Sequence, residues 1–354
     1  MLRPPDDRCR AVTGNVAPMG TPETSGSGRC VLIVGAESAL GRRVTTLLES
    51  SGAVVVGSVS GPGGDGPQPD TVIDLTVGDH DALAARRSSV TEAGQHLLDL
   101  LGNSGIDHLV LVSSALVYGA HPASPIPISE DAVLRPEPTF VYARQLAGAE
   151  ERVDRWRRAD PRRSVAVLRP VVTVAAGTSS TLMTALTAGV GQRFGHEDPP
   201  AQFLHLDDLA SAVATVVATR ADGVFNVAPD GWIPGHRIRA LAGSQWRVPL
   251  PGRAAEVVAA WRWRLQRGPI PPGLLTYTQS AWVIGNDRLR ALGWRPTVTN
   301  EQAYVEGTEA PWWAAISPKR RQEFALAGAV LGLIGAVLVG TLIGRRLWRR
   351  SRPG

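Results

Sequence analysis

The sequence predicts an α/β fold built on a doubly wound parallel sheet, and three observations predict it. Short apolar, β-branched runs recur at Val31–Val34, Ala53–Val59, Thr71–Leu75, Leu109–Val112, Val165–Leu168 and Val224–Val227. Such runs suit strands buried on both faces. Segments with helical apolar spacing separate them, at Arg42–Glu49, Val90–Leu101, Tyr142–Trp156 and Asp207–Arg220, and this alternation is the pattern of parallel pairing. The first strand runs directly into a glycine turn, Gly35 to Gly41, that opens a helix.

Taken in order, residues 1–28 are rich in Pro, Gly, Ser and Thr without periodicity, and read as a disordered tail. They lack the apolar core of a signal peptide. Val31–Val34 forms a buried strand, Gly35 turns the chain, and Val44, Leu47 and Leu48 mark the buried side of the helix. Strand, turn and helix bring free N–H groups and the positive end of a helix dipole to one point, which suits a pyrophosphate. The middle position of the G-x-x-G-x-x-G spacing holds Ser38, whose hydroxyl can still donate to phosphate. A strand followed by a capped helix explains the same residues without a ligand.

Ser60–Asp70 is a Gly/Pro loop, Gly102 and Gly105 close the second helix, and Leu109–Val112 ends in Ser113-Ser114. Arg169-Pro170 stops the strand Val165–Leu168, and the strand-like run Phe203–Leu206 precedes the helix that starts at Asp207. Residues 231–310 are mixed and tryptophan rich, and form a small lobe over the strand C-termini.

The 354 residues carry a net charge of +5, almost wholly through arginine, and Lys319 is the sole lysine. Cys9 and Cys30 are the two cysteines; they build neither a disulfide framework nor a metal site, which suits a reducing compartment. Arginines cluster at 152–163 and 345–352, but no nucleic-acid fold motif accompanies them, which argues against nucleic acid as a partner. The first cluster reads as a solvated helix end. Asp207-Asp208 read as helix-capping residues and His205 as packed beside the lobe; Glu130-Asp131, between proline-rich turns, read as a solvated loop in preference to the lining of a substrate mouth. Trp261 and Trp263 read as helix core and interface.

Seven motifs follow one another between about residues 31 and 310. They are the turn Gly35–Gly41, the run VSSALVYG at Val112–Gly119, Tyr142 with Glu150 eight residues on, Leu168-Arg-Pro170, Phe203–Ala210, Gly223–Ala228 and Asn286–Pro296. In this order the chain resembles the extended short-chain dehydrogenase/reductase family, the NAD-dependent sugar-nucleotide epimerases and dehydratases, in its arginine-rich actinobacterial form. The resemblance implies a Rossmann-like domain over 29–230, a substrate lobe over 231–310, and NAD or NADP as cofactor. It implies cofactor contacts at Gly35, Ser38, Ala39, Leu40, Gly41, Ser58, Leu75, Thr76, Ser113 and Tyr142, and catalytic roles for Ser114 and Tyr142. The substrate it implies is a small molecule, a sugar nucleotide or a lipid-linked compound.

Members of this family pair the tyrosine with a lysine four residues later. A phenol has a pKa of about 10, and the lysine charge lowers it toward neutrality. Here that position is Leu146, and Glu150 secures the register. Arg144, two residues from Tyr142, points about 200° away on a helix. Tyr142 therefore keeps its proton and serves as a hydrogen-bond donor or general acid.

A second departure is the absence of one strand–helix unit, whose place only the loop 60–70 fills. Either Thr71–Leu75 lies beside the first strand and an edge strand is missing, or Asp74-Leu75-Thr76 is the family's adenine-contacting segment. The first disturbs fewer backbone pairings. The second strand ends with neither an acidic residue nor a following arginine, so the choice between NAD and NADP is not legible.

Ala325–Gly344 is twenty residues without a charge, about 30 Å of helix and the thickness of a bilayer core. It predicts a transmembrane helix over 324–344, with 311–323 as linker and 345–354 as basic tail. Both flanks are basic, Lys319–Arg321 before and Arg345–Arg352 after, so charge alone does not orient the span. A nucleotide-binding domain without an export signal belongs in the cytoplasm, which places it on the cytoplasmic side of the cell membrane. Gly328/Gly332 and Gly340/Gly344 have the spacing that pairs helices into a homodimer, and equally that of a merely glycine-rich span. Two function classes follow: a membrane-tethered enzyme of the epimerase/dehydratase type, and a non-catalytic dinucleotide-binding sensor or scaffold.

Overall fold

The computed structural model describes residues 29–57, 69–77, 89–102, 106–175, 199–242, 257 and 272–308. The described elements belong to one compact unit, Met1–Gly307. Six parallel strands form the central sheet: β1 (Cys30–Val34), β2 (Val54–Gly57), β3 (Thr71–Asp74), β4 (His108–Val112), β5 (Ser164–Pro170) and β8 (Gly223–Val227). Their order is β2-β1-β3-β4-β5-β8. The apolar runs become strands because both faces are covered: Val31, Leu32, Ile33, Val72, Ile73 and Leu109–Leu111 are all buried. The helices are α1 (Ala39–Ser50), α2 (Ser89–Gly102), α3 (Val141–Arg158) and α4 (Leu206–Thr219). α1 packs against α4 and α2 against α3.

The register settles where Thr71–Leu75 lies. Val34 pairs with Asp74 on one side of β3, and Asp74 with Leu111 on the other. β3 is therefore the inner neighbour of β1, and β2 stands at the edge among the described strands. The chain winds outward from β1 to β2, then returns across β1 to build the other half. This reversal makes the β1/β3 boundary the switch point, the place where open α/β sheets leave a crevice at the strand C-termini.

The lobe departs from its expected limits. Its small core joins Val174, Phe203, Ile233, Ile238, Ala303 and Tyr304, so residues well before 231 contribute. A second, two-stranded sheet, β6 (Val172–Val174) with β7 (Phe203–His205), supports it. α5 (Gly235–Ala242), α6 (Leu275–Gln279), α7 (Asp287–Ala291) and α8 (Asn300–Gly307) complete the elements. α8 packs on β7.

The acidic pair at 207–208 does not cap α4. His205 caps it, its Nδ1 accepting from the Asp207 N–H at 3.2 Å. Asp207 instead pairs with Arg43 of α1. Asp208 is buried and accepts from the Thr297 N–H at 2.8 Å, the Thr297 hydroxyl at 2.7 Å and the Val298 N–H at 3.1 Å, tying the lobe to the sheet domain. Among the described residues no helix is long and apolar enough to cross a membrane. The run Ala325–Gly344 lies outside them, as do Ser58, Trp261 and Trp263.

Candidate functional site

At the switch point the glycine turn closes on itself. A Cβ on Gly41 would lie 2.3 Å from the Gly35 carbonyl oxygen, so only glycine fits. Gly35 has φ +91°, and a Cβ there would approach the Thr76 methyl to 3.1 Å. Ser38 caps α1, its hydroxyl accepting from the Gly41 N–H at 2.9 Å. Ala39 and Leu40 form the half-buried first residues of that helix. From the other side of the boundary, the Leu75 N–H donates to the Val34 carbonyl at 3.1 Å. The buried Asp74 carboxyl accepts from the Thr76 and Val77 N–H groups at 2.8 and 2.9 Å. Burial pushes the Asp74 pKa up. Its bonds fold the 75–77 segment against the glycine turn. Thus Gly35, Ser38–Gly41, Leu75 and Thr76, scattered in sequence, meet at one crevice.

Ser113 and Ser114 end β4. Ser114, 2% exposed, caps the 3-10 helix Ala115–Tyr118 by accepting from the Leu116 N–H at 3.3 Å. α3 packs against this short helix, with Tyr142 in its first turn, 3% exposed. Leu146, one turn on, is 0% exposed and belongs to the main apolar core, while Arg144 is exposed. At Leu146 the chain has hydrocarbon packed on hydrocarbon. The Ser113 hydroxyl, expected at the cofactor, is turned inward and donates to Glu150 at 2.5 Å.

That bond begins a buried network that sequence reasoning did not assemble. Glu150 forms an ion pair with Arg169 at 2.6 Å. Arg169 donates to the Tyr118 hydroxyl at 2.8 Å, which donates to Asn226 Oδ1 at 2.8 Å. The Asn226 N–H donates to Glu130 Oε1 at 3.1 Å. Burial raises the pKa of both Tyr118 and Glu130. Glu130 is therefore no solvated loop residue; only Asp131 beside it is exposed, paired with Arg288. These residues stood in the quoted motifs, but no spacing rule links them. His205 is packed as expected, with Nε2 at 3.2 Å from Glu306 of α8. Ala147, Asp154, Arg157, Val167 and Val224 line a groove of about 430 Å³ between α3, β5 and β8, apart from the crevice.

Comparison with known proteins accords with this geometry. The model of the NAD dependent epimerase/dehydratase family matches residues 64–228, just under half of the chain. The match begins beyond β2, so the glycine turn falls outside it. An uncharacterized protein of Mycobacterium tuberculosis is 24% identical over 200 residues, 56% of this chain and 53% of its own length. The chain thus spans about half the length of the curated relatives it matches. The structure of RMD from Pseudomonas aeruginosa complexed with NADPH superposes with a TM-score of 0.57 at 19% identity, covering 78% of this chain and 97% of that one. UDP-glucose 4-epimerase from Bifidobacterium longum in complex with NAD+ and UDP superposes with a TM-score of 0.57 at 16% identity, covering 81% and 99%. Strand order and motif order thus resemble those of the NAD-dependent epimerases/dehydratases, whose family model matches residues 64–228, and the solved structures share the fold.

Proposed function

We propose that this protein binds NAD or NADP in the β1/β3 crevice and acts at a membrane on a sugar nucleotide or a lipid-linked substrate. The observation that carries the reading is the fit of the turn. At Gly35 and Gly41 a side chain would collide with Thr76 or with the turn's own backbone, which is the cradle a pyrophosphate needs against a helix N-terminus. Ala39 and Leu40 offer backbone N–H groups there. The Ser38 hydroxyl, already accepting from Gly41, still has its proton to donate. Leu75, Thr76, the backbone of Ser113 and Ser58 are further cofactor contacts in this reading. Relatives of the same fold carry NADPH, NAD and UDP, which supports the ligand class.

When bound, the nicotinamide supplies a hydride acceptor or donor. Ser114 and Tyr142 orient the substrate oxygen by hydrogen bonding. A second reading, a dinucleotide sensor or membrane scaffold without turnover, is favoured by one observation: Leu146 is sealed in the core. The uncharged run Ala325–Gly344 anchors the domain on the cytoplasmic side, and its glycine spacing offers a route to a homodimer.

Titration of the detergent-solubilised full chain with NAD, NADH, NADP and NADPH tests the shared core of both readings. At least one should bind, and Gly35→Val should abolish that binding in a folded protein. Binding of none, or unchanged affinity in folded Gly35→Val, overturns the assignment.

A further inference from the structure

The segment Pro272–Trp282 of the lobe touches the neighbours of both Ser114 and Tyr142, Leu116 on one side and Phe140 on the other. Gly273 lies so close to Phe140 that a Cβ on it would come within 2.6 Å of the Phe140 Cβ and 2.7 Å of its nitrogen. Phe140 precedes Tyr142 by two residues. Four residues after Gly273, the Tyr277 hydroxyl donates to the Leu116 carbonyl at 2.7 Å, in the short helix that Ser114 caps. The rings run on as one chain of contacts: Tyr142 to Phe140 at 5.9 Å, Phe140 to Tyr277 at 6.1 Å, and Tyr277 to Trp282 at 5.4 Å. The closed arrangement leaves one polar atom unserved, because the Trp282 indole N–H is buried without an acceptor. An unmade buried hydrogen bond disfavours the state that contains it.

We propose that Pro272–Trp282 is a cover over the Ser114–Tyr142 pair, closed in this structure, so that access to the pair is gated separately from the dinucleotide crevice. The proposal rests on Ser114 and Tyr142 being the substrate side of the site. Opening frees the Trp282 N–H to find an acceptor, so one buried orphan opposes the closed cover.

Nitration by tetranitromethane, mapped by peptide mass spectrometry on the full chain in detergent, tests it. The chain has four tyrosines, at 118, 142, 277 and 304. Tyr142 should react far more slowly in the native wild type than in the urea-unfolded chain. Tyr277→Phe keeps the ring and deletes the hydroxyl that bonds the Leu116 carbonyl and the Glu137 backbone, so it should raise the Tyr142 rate at least about fivefold while Tyr118 and Tyr304 stay slow. Gly273→Ala, which wedges the segment off Phe140, should raise it further. A wild-type Tyr142 that reacts like the unfolded chain, or one unmoved in folded Tyr277→Phe, overturns the cover. So does a parallel rise at Tyr118 and Tyr304, which marks general loosening. Nitration needs no ligand, so a gated Tyr142 in a protein that binds no dinucleotide sinks the functional reading alone.

Discussion

At Leu146 the helix that carries Tyr142 presents an isobutyl group, fully buried, one turn beyond the phenol. A lysine there would share the face of Tyr142 and supply the charge that lowers a phenol's pKa. Leu146→Lys therefore separates the two function classes. If space remains beside Tyr142, the variant folds, and its melting point rises more with NAD(H) or NADP(H) than that of the wild type. If the core is as closed as the burial indicates, an unpaired ammonium costs several kcal/mol, and the variant melts early whatever cofactor is added. Thermal unfolding with and without the four cofactors, beside a turnover assay with sugar nucleotides, reads both outcomes.

His108, at the start of β4, gives a second prediction at this scale. It is fully buried, hydrogen-bonded through Nδ1 to the Ser164 hydroxyl at 2.7 Å, and its Nε2 has no partner. Burial first, then the Arg220 charge, lowers its pKa to about 4, with Asp107 and Asp70 opposing and Arg29 adding to the lowering. A histidine held neutral in the fold stabilises fully above the unfolded value near 6.5 and loses that contribution as pH falls toward 4, about 3 kcal/mol in all. Asp74 and Glu130, whose burial raises their pKa values, act in the opposite sense. The expected result is therefore a difference: between pH 7.5 and 4.5 the wild type loses more unfolding free energy in urea than His108→Gln does. Parallel profiles would remove His108 from the account.

Among elements, the ion pair between α3 and β5 stitches five pieces of the fold. Glu150 reaches Ser113 at the end of β4, and Arg169 reaches Tyr118 and through it Asn226 of β8. Removing one partner leaves a buried charge uncompensated, so Arg169→Met should cost about 3–5 kcal/mol, and Glu150→Leu added to it should recover most of the loss. Chemical denaturation of the two single variants and the double variant forms the cycle that checks this. Additive losses would show the pair to be uncoupled. The elements themselves were largely legible, because a buried parallel strand must be apolar and β-branched along its whole length. β6 was not, since three residues carry no period; nor was the lobe's reach back to Val174 and Phe203, since that core is assembled across distant segments.

For the whole molecule the membrane anchor is the remaining prediction. The full chain should stay in the membrane fraction through high salt and alkaline wash, and deletion of residues 324–354 should release a soluble domain. A full chain that is soluble without detergent would make Ala325–Gly344 a buried helix instead. Orientation follows from protease access in sealed vesicles: the domain at 29–307 should be cut from the cytoplasmic side alone.

The sequence by itself determined the class of fold, the glycine turn, and the positions of Ser114 after β4 and Tyr142 in the first turn of α3. These are local matters: strand burial writes itself as apolar runs, and a motif's register survives along one helix. Only the tertiary structure decided that β3 lies inside β1, that Ser113 faces Glu150 and not the crevice, that Asp208 clamps Thr297, and that Tyr277 reaches Leu116. Each of these depends on hydrogen bonds between residues far apart in the chain, and a buried polar group takes whichever partner the packing brings to it, which no spacing along the sequence encodes.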